Sequence, residues 1–208
     1  MASGEPGAIG GSLSGVSAPR RRATYDDVIA APDHMVAELI DGELYLSPRP
    51  AVRHALAASA IGGDLFGRFA RPPGSGDAPG GWWILDEPEL HFGDDAVVPD
   101  LAGWRRERMP TLPDAAAITV PPDWACEVLS PSTVRLDRGP KLRLYARVGV
   151  AHLWFVDPVA RTIEVYRLEQ GCWVVATTIA GDESVAIAPF PDLLLDVAHW
   201  CDTGEAPR

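Results

Sequence analysis

Basic residues are scarce in this chain and cysteines scarcer. Eighteen lysines and arginines face 29 aspartates and glutamates, a formal net charge of −11. Proteins that coat nucleic acid indiscriminately depend on a large positive field, so that class is excluded, while a local basic groove is not. The three cysteines, Cys126, Cys172 and Cys201, are an odd number with neither C-x-x-C nor metal-type spacing. A chain of 208 residues with 47% hydrophobic content forms one full core without covalent staples, so reduced thiols in a cytoplasmic setting are expected. No apolar run approaches the roughly 18 residues of a membrane span. The cluster Arg20-Arg21-Arg22 follows a Gly/Ser-rich start and precedes no apolar stretch, so neither a membrane anchor nor a secretory signal is expected.

What remains points to one domain. Residues 1–23 are rich in Gly, Ser and Ala without a period and read as a disordered arm, residues 24–200 as the folded domain, and 201–208 as a tail. Thr24 with Asp27 predicts the start of a short helix over 25–31, stopped by Pro32. Two strand-like runs about Asp41-Gly42, within 36–46, predict a hairpin. Apolar residues at helical spacing predict a long helix over 52–71, followed by a Pro/Gly loop over 72–81. Strands follow at 82–86, 89–92, 97–104 and 124–130, then a helix from a cap at Asp137 to about Val148, ended by Gly149. Strands at 152–156, 162–168 and 172–179 close the pattern, the last two as an antiparallel hairpin. This order is α/β or α+β, with a central mixed β-sheet flanked by helices.

Two charges stand out because they interrupt apolar strands. Glu127 lies inside Trp124-Ala-Cys-Glu-Val-Leu-Ser130, and Asp100 inside Val97-Val-Pro-Asp-Leu-Ala-Gly103. A buried carboxylate costs several kcal/mol, roughly, unless a cation or strong donors compensate it. A third element supplies Lys141 within Lys-Leu-Arg-Leu-Tyr-Ala-Arg147, with Tyr145 on the same helix face. Each residue alone has an ordinary explanation: Asp100 caps a turn after Pro99, Glu127 pairs with a nearby arginine, and Lys141 is solvated beside Asp137 at i, i+4. Together, two acids and a lysine on three elements suggest a metal-dependent phosphodiester site. Mg²⁺ takes hard oxygen ligands, keeps several waters, and needs only one or two carboxylates plus substrate phosphate. A lysine nearby can stabilise the extra negative charge of the transition state.

Other candidates are weaker. His54, beside Arg53, is within a helix and reads first as a partly exposed histidine without a role, second as a phosphate contact. His91, His152 and His199 lack ligand spacing, which argues against zinc. Ser130 and Ser132 have no G-x-S-x-G setting. The seven tryptophans mostly alternate with apolar neighbours and read as core. Arg135, Arg138, Arg143 and Arg147 form with Lys141 either a phosphate-facing edge or a plain solvated helix face.

Val98-Pro-Asp100, Glu127-Val-Leu-Ser-Pro-Ser132, Asp137 with Lys141-Leu-Arg-Leu-Tyr145, and Gly149-Val-Ala-His-Leu-Trp-Phe-Val-Asp-Pro158 occur in that order, after Glu38-Leu-Ile-Asp-Gly-Glu43 and His54. This set resembles the bacterial Uma-type putative restriction endonuclease family of the PD-(D/E)xK nuclease-like superfamily, over about residues 25–200. The resemblance implies a restriction-endonuclease-like fold, Asp100 and Glu127 as Mg²⁺ or Mn²⁺ ligands, Lys141 as catalytic lysine and Glu38 as a further carboxylate. Leu129 stands where the superfamily pattern has its lysine, so Lys141 is implied as a migrated substitute. The expected function is an endonuclease acting on double-stranded DNA, with a homodimer serving the two strands. The rivals are a non-catalytic nucleic-acid- or protein-binding module on the same fold, and a hydrolase of a small phosphorylated substrate.

Overall fold

The computed structural model describes residues 21–74, 79–181 and 184–204. Helix α1 (Tyr25–Ile29) starts at Thr24, whose backbone N–H donates to the Asp27 carboxylate at 2.8 Å. The hairpin β1 (Met35–Ile40) and β2 (Glu43–Pro48) turns at Asp41 and Gly42, with φ of 54° and 78°, the two left-handed positions that a type I′ turn requires. Of the expected arm, residues 1–20 lie outside the described residues, as do 205–208 of the expected tail. The described end of the arm meets the hairpin: Ala23 N–H donates to Gly42 at 2.8 Å, and Arg22 to the Asp41 carbonyl at 3.0 Å.

Helix α2 (Val52–Phe69) buries His54, Ala57, Ile61, Leu65 and Phe69 at spacings of three and four. Strands β3 (Trp82–Asp86), β4 (Leu90–Phe92), β5 (Asp95–Val97), β6 (Leu101–Arg105) and β7 (Trp124–Val128) follow. The next segment is helical throughout: α3 (Val134–Leu136), a π turn (Asp137–Lys141) and α4 (Leu142–Val148), capped by Gly149 at φ 84°. Strands β8 (His152–Asp157), β9 (Thr162–Glu169), β10 (Cys172–Ala180), β11 (Ser184–Ile187) and β12 (Phe190–Asp196) lead to α5 (Val197–Trp200).

The central sheet is mixed, in the order β10-β9-β8-β7-β6-β3, with β7 and β8 its parallel pair. A parallel pair needs a crossover, and the 134–148 helical segment provides it. A smaller antiparallel sheet runs β2-β1-β5-β4, and β11 pairs with β12. Both faces of the central sheet are covered, which explains why β7 is buried along its whole length. Cys126 and Val128 join one core, with Ile61, Leu65, Trp154 and Phe190, while Ala125 and Leu129 join the other, with Leu144, Tyr145 and Phe155. The alternation places Glu127 on the second face. Trp104, Trp124, Trp154 and Trp200 are fully buried.

Three expectations are corrected. The strand expected over 97–104 is two strands, β5 in the smaller sheet and β6 in the central one. Pro99 between them offers no N–H to a ladder, and the chain changes sheets there. Asp137 does not cap a helix. It lies inside the helical segment and is buried, in a turn widened around Pro140, whose ring cannot sit in a regular α-helical interior. The pair β11–β12 with α5 occupies a stretch where no element was expected, its strand signal interrupted by Pro189 and Pro191. No helix among the described residues is long and apolar enough to cross a membrane.

Candidate active site

The break at Pro99 creates the first part of the site. Leu101 pairs with Cys126, so two residues further along the register Val128 faces Pro99 and, although it pairs with Val156 in β8, has no partner on the β6 side. The Asp100 side chain fills that role, its Oδ2 accepting from Val128 N–H at 2.6 Å. Glu127, one residue earlier in β7, is 1% exposed and points toward the helical segment. There the π turn presents Lys141, whose Nζ lies 2.9 Å from each Glu127 oxygen, 3.2 Å from Glu38 Oε1 and 3.7 Å from Asp137 Oδ1. The same ammonium donates to the Val98 carbonyl at 3.1 Å, and Glu38 accepts from Val98 N–H at 2.9 Å. One turn on, Tyr145 donates its hydroxyl to Glu127 Oε1 at 2.5 Å.

Asp100, Glu127, Lys141, Glu38, Asp137 and Val98 line a cleft of about 270 Å³, bordered on one side by the 130–133 loop and on another by 47–51. His54 also lines it, with Nε2 3.2 Å from Asp100 Oδ2. The balance of charge is unusual: five carboxylates, Glu38, Glu87, Asp100, Glu127 and Asp137, line the cleft with one ammonium, one imidazole and the Arg49 guanidinium. Burial pushes the Glu127 carboxyl well above its ordinary range, Lys141 opposes, and Asp137, Asp100 and Glu38 add to the rise. Burial likewise raises Asp137 to about 6, against the attraction of Lys141. Burial alone would lower the lysine, but Glu127 and Glu38 outweigh it and hold its pKa well above the usual value. His54 is raised because Asp100 outweighs its burial. Such an excess of buried acid is what a divalent cation would relieve.

Among the described residues, no three Asp, Glu, His or Cys side chains group so as to hold a metal ion by themselves. An ion of the Mg²⁺ kind needs only one or two protein carboxylates and fills its remaining positions with water and phosphate oxygen, and both Asp100 and Glu127 line the cleft.

The structure thus brings Asp100, Glu127, Lys141 and Glu38 to one cleft. Lys141 is 3% exposed, so the solvated alternative for it is corrected. Leu129 packs in the apolar core, and the amine near Glu127 comes from the helix. The phosphate-facing arginine edge is corrected in part: Arg138 pairs with Glu164, and Arg147 with Asp41 and Asp95. Two residues were missed. His54 is 7% exposed and engaged with Asp100, and its spacing to Ala57 and Ile61 on the core face of α2 was the available signal. Asp137 is 3% exposed, signalled by its place one turn before Lys141 on the face that carries Tyr145.

A sequence profile of the Uma2 family, described as "Putative restriction endonuclease", matches residues 23–198. Among solved structures, the chain is similar to a crystal structure of a putative nuclease from Anabaena variabilis, with a TM-score of 0.68 and 22% identity, covering 86% of this chain and 97% of that one. At that identity the likeness speaks for the fold alone. No curated protein matches. The profile spans every residue of the cleft and most of the chain, which therefore belongs to the Uma2 family.

Proposed function

We propose that this chain is a metal-dependent endonuclease that hydrolyses phosphodiester bonds in double-stranded DNA, with Mg²⁺ or Mn²⁺ held by Asp100 and Glu127. The observation that carries this reading is the convergence of Asp100, Glu127 and Lys141, from a strand break, a strand and a helical turn, on one cleft. Membership in a family described as restriction endonuclease agrees with the reaction class.

When bound, the ion supplies neutralisation of phosphate charge and a water of lowered pKa. The protein's own part is electrostatic and positional. Lys141, kept protonated by Glu127 and Glu38, is a fixed positive charge in the cleft wall and stabilises the extra negative charge that develops on phosphorus oxygens. Glu127 is held by two donors, Lys141 and Tyr145, so its carboxylate plane is set before substrate arrives. Glu38 and the Val98 carbonyl aim the ammonium. With the chain acidic overall, the substrate's charge is met at the cleft rather than by a wide basic surface. Cutting both strands calls for two clefts, which a homodimer provides.

The test is incubation with supercoiled plasmid in Mg²⁺, in Mn²⁺ and with chelator, beside generic phosphate esters. Nicked and linear plasmid in metal alone is expected. Intact plasmid in both metals, from protein that binds DNA, would move the assignment to a non-catalytic module. Ester turnover without nicking would move it to a small-substrate hydrolase.

A further inference from the structure

We infer that His54 is a positioning residue for Asp100, one that decides which oxygen of that carboxylate faces the cleft. The inference rests on the proposed hydrolytic role of the cleft. A carboxylate's terminal torsion is broad and roughly two-fold, so an aspartate held by one donor has no fixed plane. Asp100 has two donors on the same oxygen. Val128 N–H reaches Oδ2 from the strand at 2.6 Å, and His54 Nε2 reaches it from α2 at 3.2 Å. With Oδ2 held from two elements, Oδ1 is the oxygen left to meet a cation.

The burial of His54 argues that this contact is its purpose. The residue occupies a core-face position of α2 in line with Ala57 and Ile61, where an apolar side chain would pack without needing a partner. Its Nδ1 is buried and has no hydrogen-bond partner among the described residues. A neutral imidazole donates from one nitrogen and accepts at the other. The tautomer with its proton on Nε2 leaves Nδ1 as a bare acceptor, whereas the opposite tautomer would bury an orphaned N–H and set a lone pair against the carboxylate. Of the two neutral tautomers, the one with its proton on Nε2 therefore suits the contact with Asp100. Hydrogen-bonding partners of metal-binding side chains typically govern affinity by about 10–100-fold.

The experiment titrates Mn²⁺ into full-length wild type, His54→Ala and His54→Gln, with free Mn²⁺ read by electron paramagnetic resonance. Glutamine puts an amide N–H near the position of Nε2. His54→Ala should bind Mn²⁺ ~10–100-fold more weakly, and His54→Gln should recover most of that loss. Equal affinity in His54→Ala, or no recovery in His54→Gln, overturns the inference. A metal-free readout separates it from the proposed function. Imidazole ¹⁵N shifts should show the Nε2–H form in wild type and lose its preference in Asp100→Ala. If wild type takes up no Mn²⁺, the metal reading fails, and this signature alone decides: its loss in Asp100→Ala upholds the pairing, and its persistence overturns it.

Discussion

Lys141 Nζ lies 2.9 Å from both oxygens of Glu127, and neither side chain is more than 3% exposed. Removing one member of such a pair leaves the other charged and buried, and here two further carboxylates, Glu38 and Asp137, lose their cation as well. Lys141→Ala should therefore destabilise the fold by about 3–5 kcal/mol, measured by urea unfolding at pH 7.5 without metal. In the protein that remains folded, single-turnover cleavage should fall by ~10²-fold or more. Lys141→Arg should rescue poorly, because a planar guanidinium does not replace a compact ammonium.

Asp137 gives a pH-dependent prediction. Its carboxyl titrates at about 6 in the folded chain against an ordinary 3.8, so the folded state binds this proton more tightly. The stability it contributes is complete below about pH 4 and is lost as pH rises through 6. Asp137→Asn mimics the protonated form. It should raise stability at pH 8 by on the order of 1–3 kcal/mol and give no gain at pH 4, read from urea midpoints at the two pH values.

Tyr145→Phe removes the hydroxyl that donates to Glu127 at 2.5 Å and leaves the ring in place. A buried carboxylate that loses one of its donors should cost the fold about 1–3 kcal/mol. Differential scanning calorimetry of metal-free protein checks this, and an unchanged melting temperature would mean that Lys141 alone satisfies Glu127.

Gly103 in β6 tests the packing of the sheet that carries the site. A Cβ there would sit 3.1 Å from Ile84 Cδ1 and from Trp124 Cε3, and 3.3 Å from Trp82 Cε3. Gly103→Ala should overpack the core by about 1–3 kcal/mol, visible as a lower urea midpoint.

The legible part of the site was the part written locally. Glu127 and Asp100 announce themselves because a charge in an apolar strand demands a partner, and Lys141 because it shares a helix face with Tyr145. The hairpin at Asp41-Gly42 and the end at Gly149 were legible for the same reason, since each needs a backbone conformation that few residues adopt. What could not be read depends on distant pairing. His54 meets an aspartate 46 positions away, and nothing near it in sequence names that partner. Asp137 looked like a cap because Pro140 suits a first helical turn, and the π turn that absorbs the proline instead carries the acid inward. The sheet change at Pro99 was hidden because β5 is only three residues long and joins the smaller sheet through β4 just before it and β1 more than fifty residues earlier.

Single-turnover cleavage of a duplex substrate in saturating Mn²⁺ decides whether Asp100 and Glu127 form the proposed metal-dependent hydrolytic site. Wild type is compared with the isosteric variants Asp100→Asn and Glu127→Gln, each first shown to be folded by circular dichroism. Wild type should cleave only with metal, and each variant should lose ~10²-fold or more. Cleavage at the wild-type rate in both folded variants would contradict that assignment.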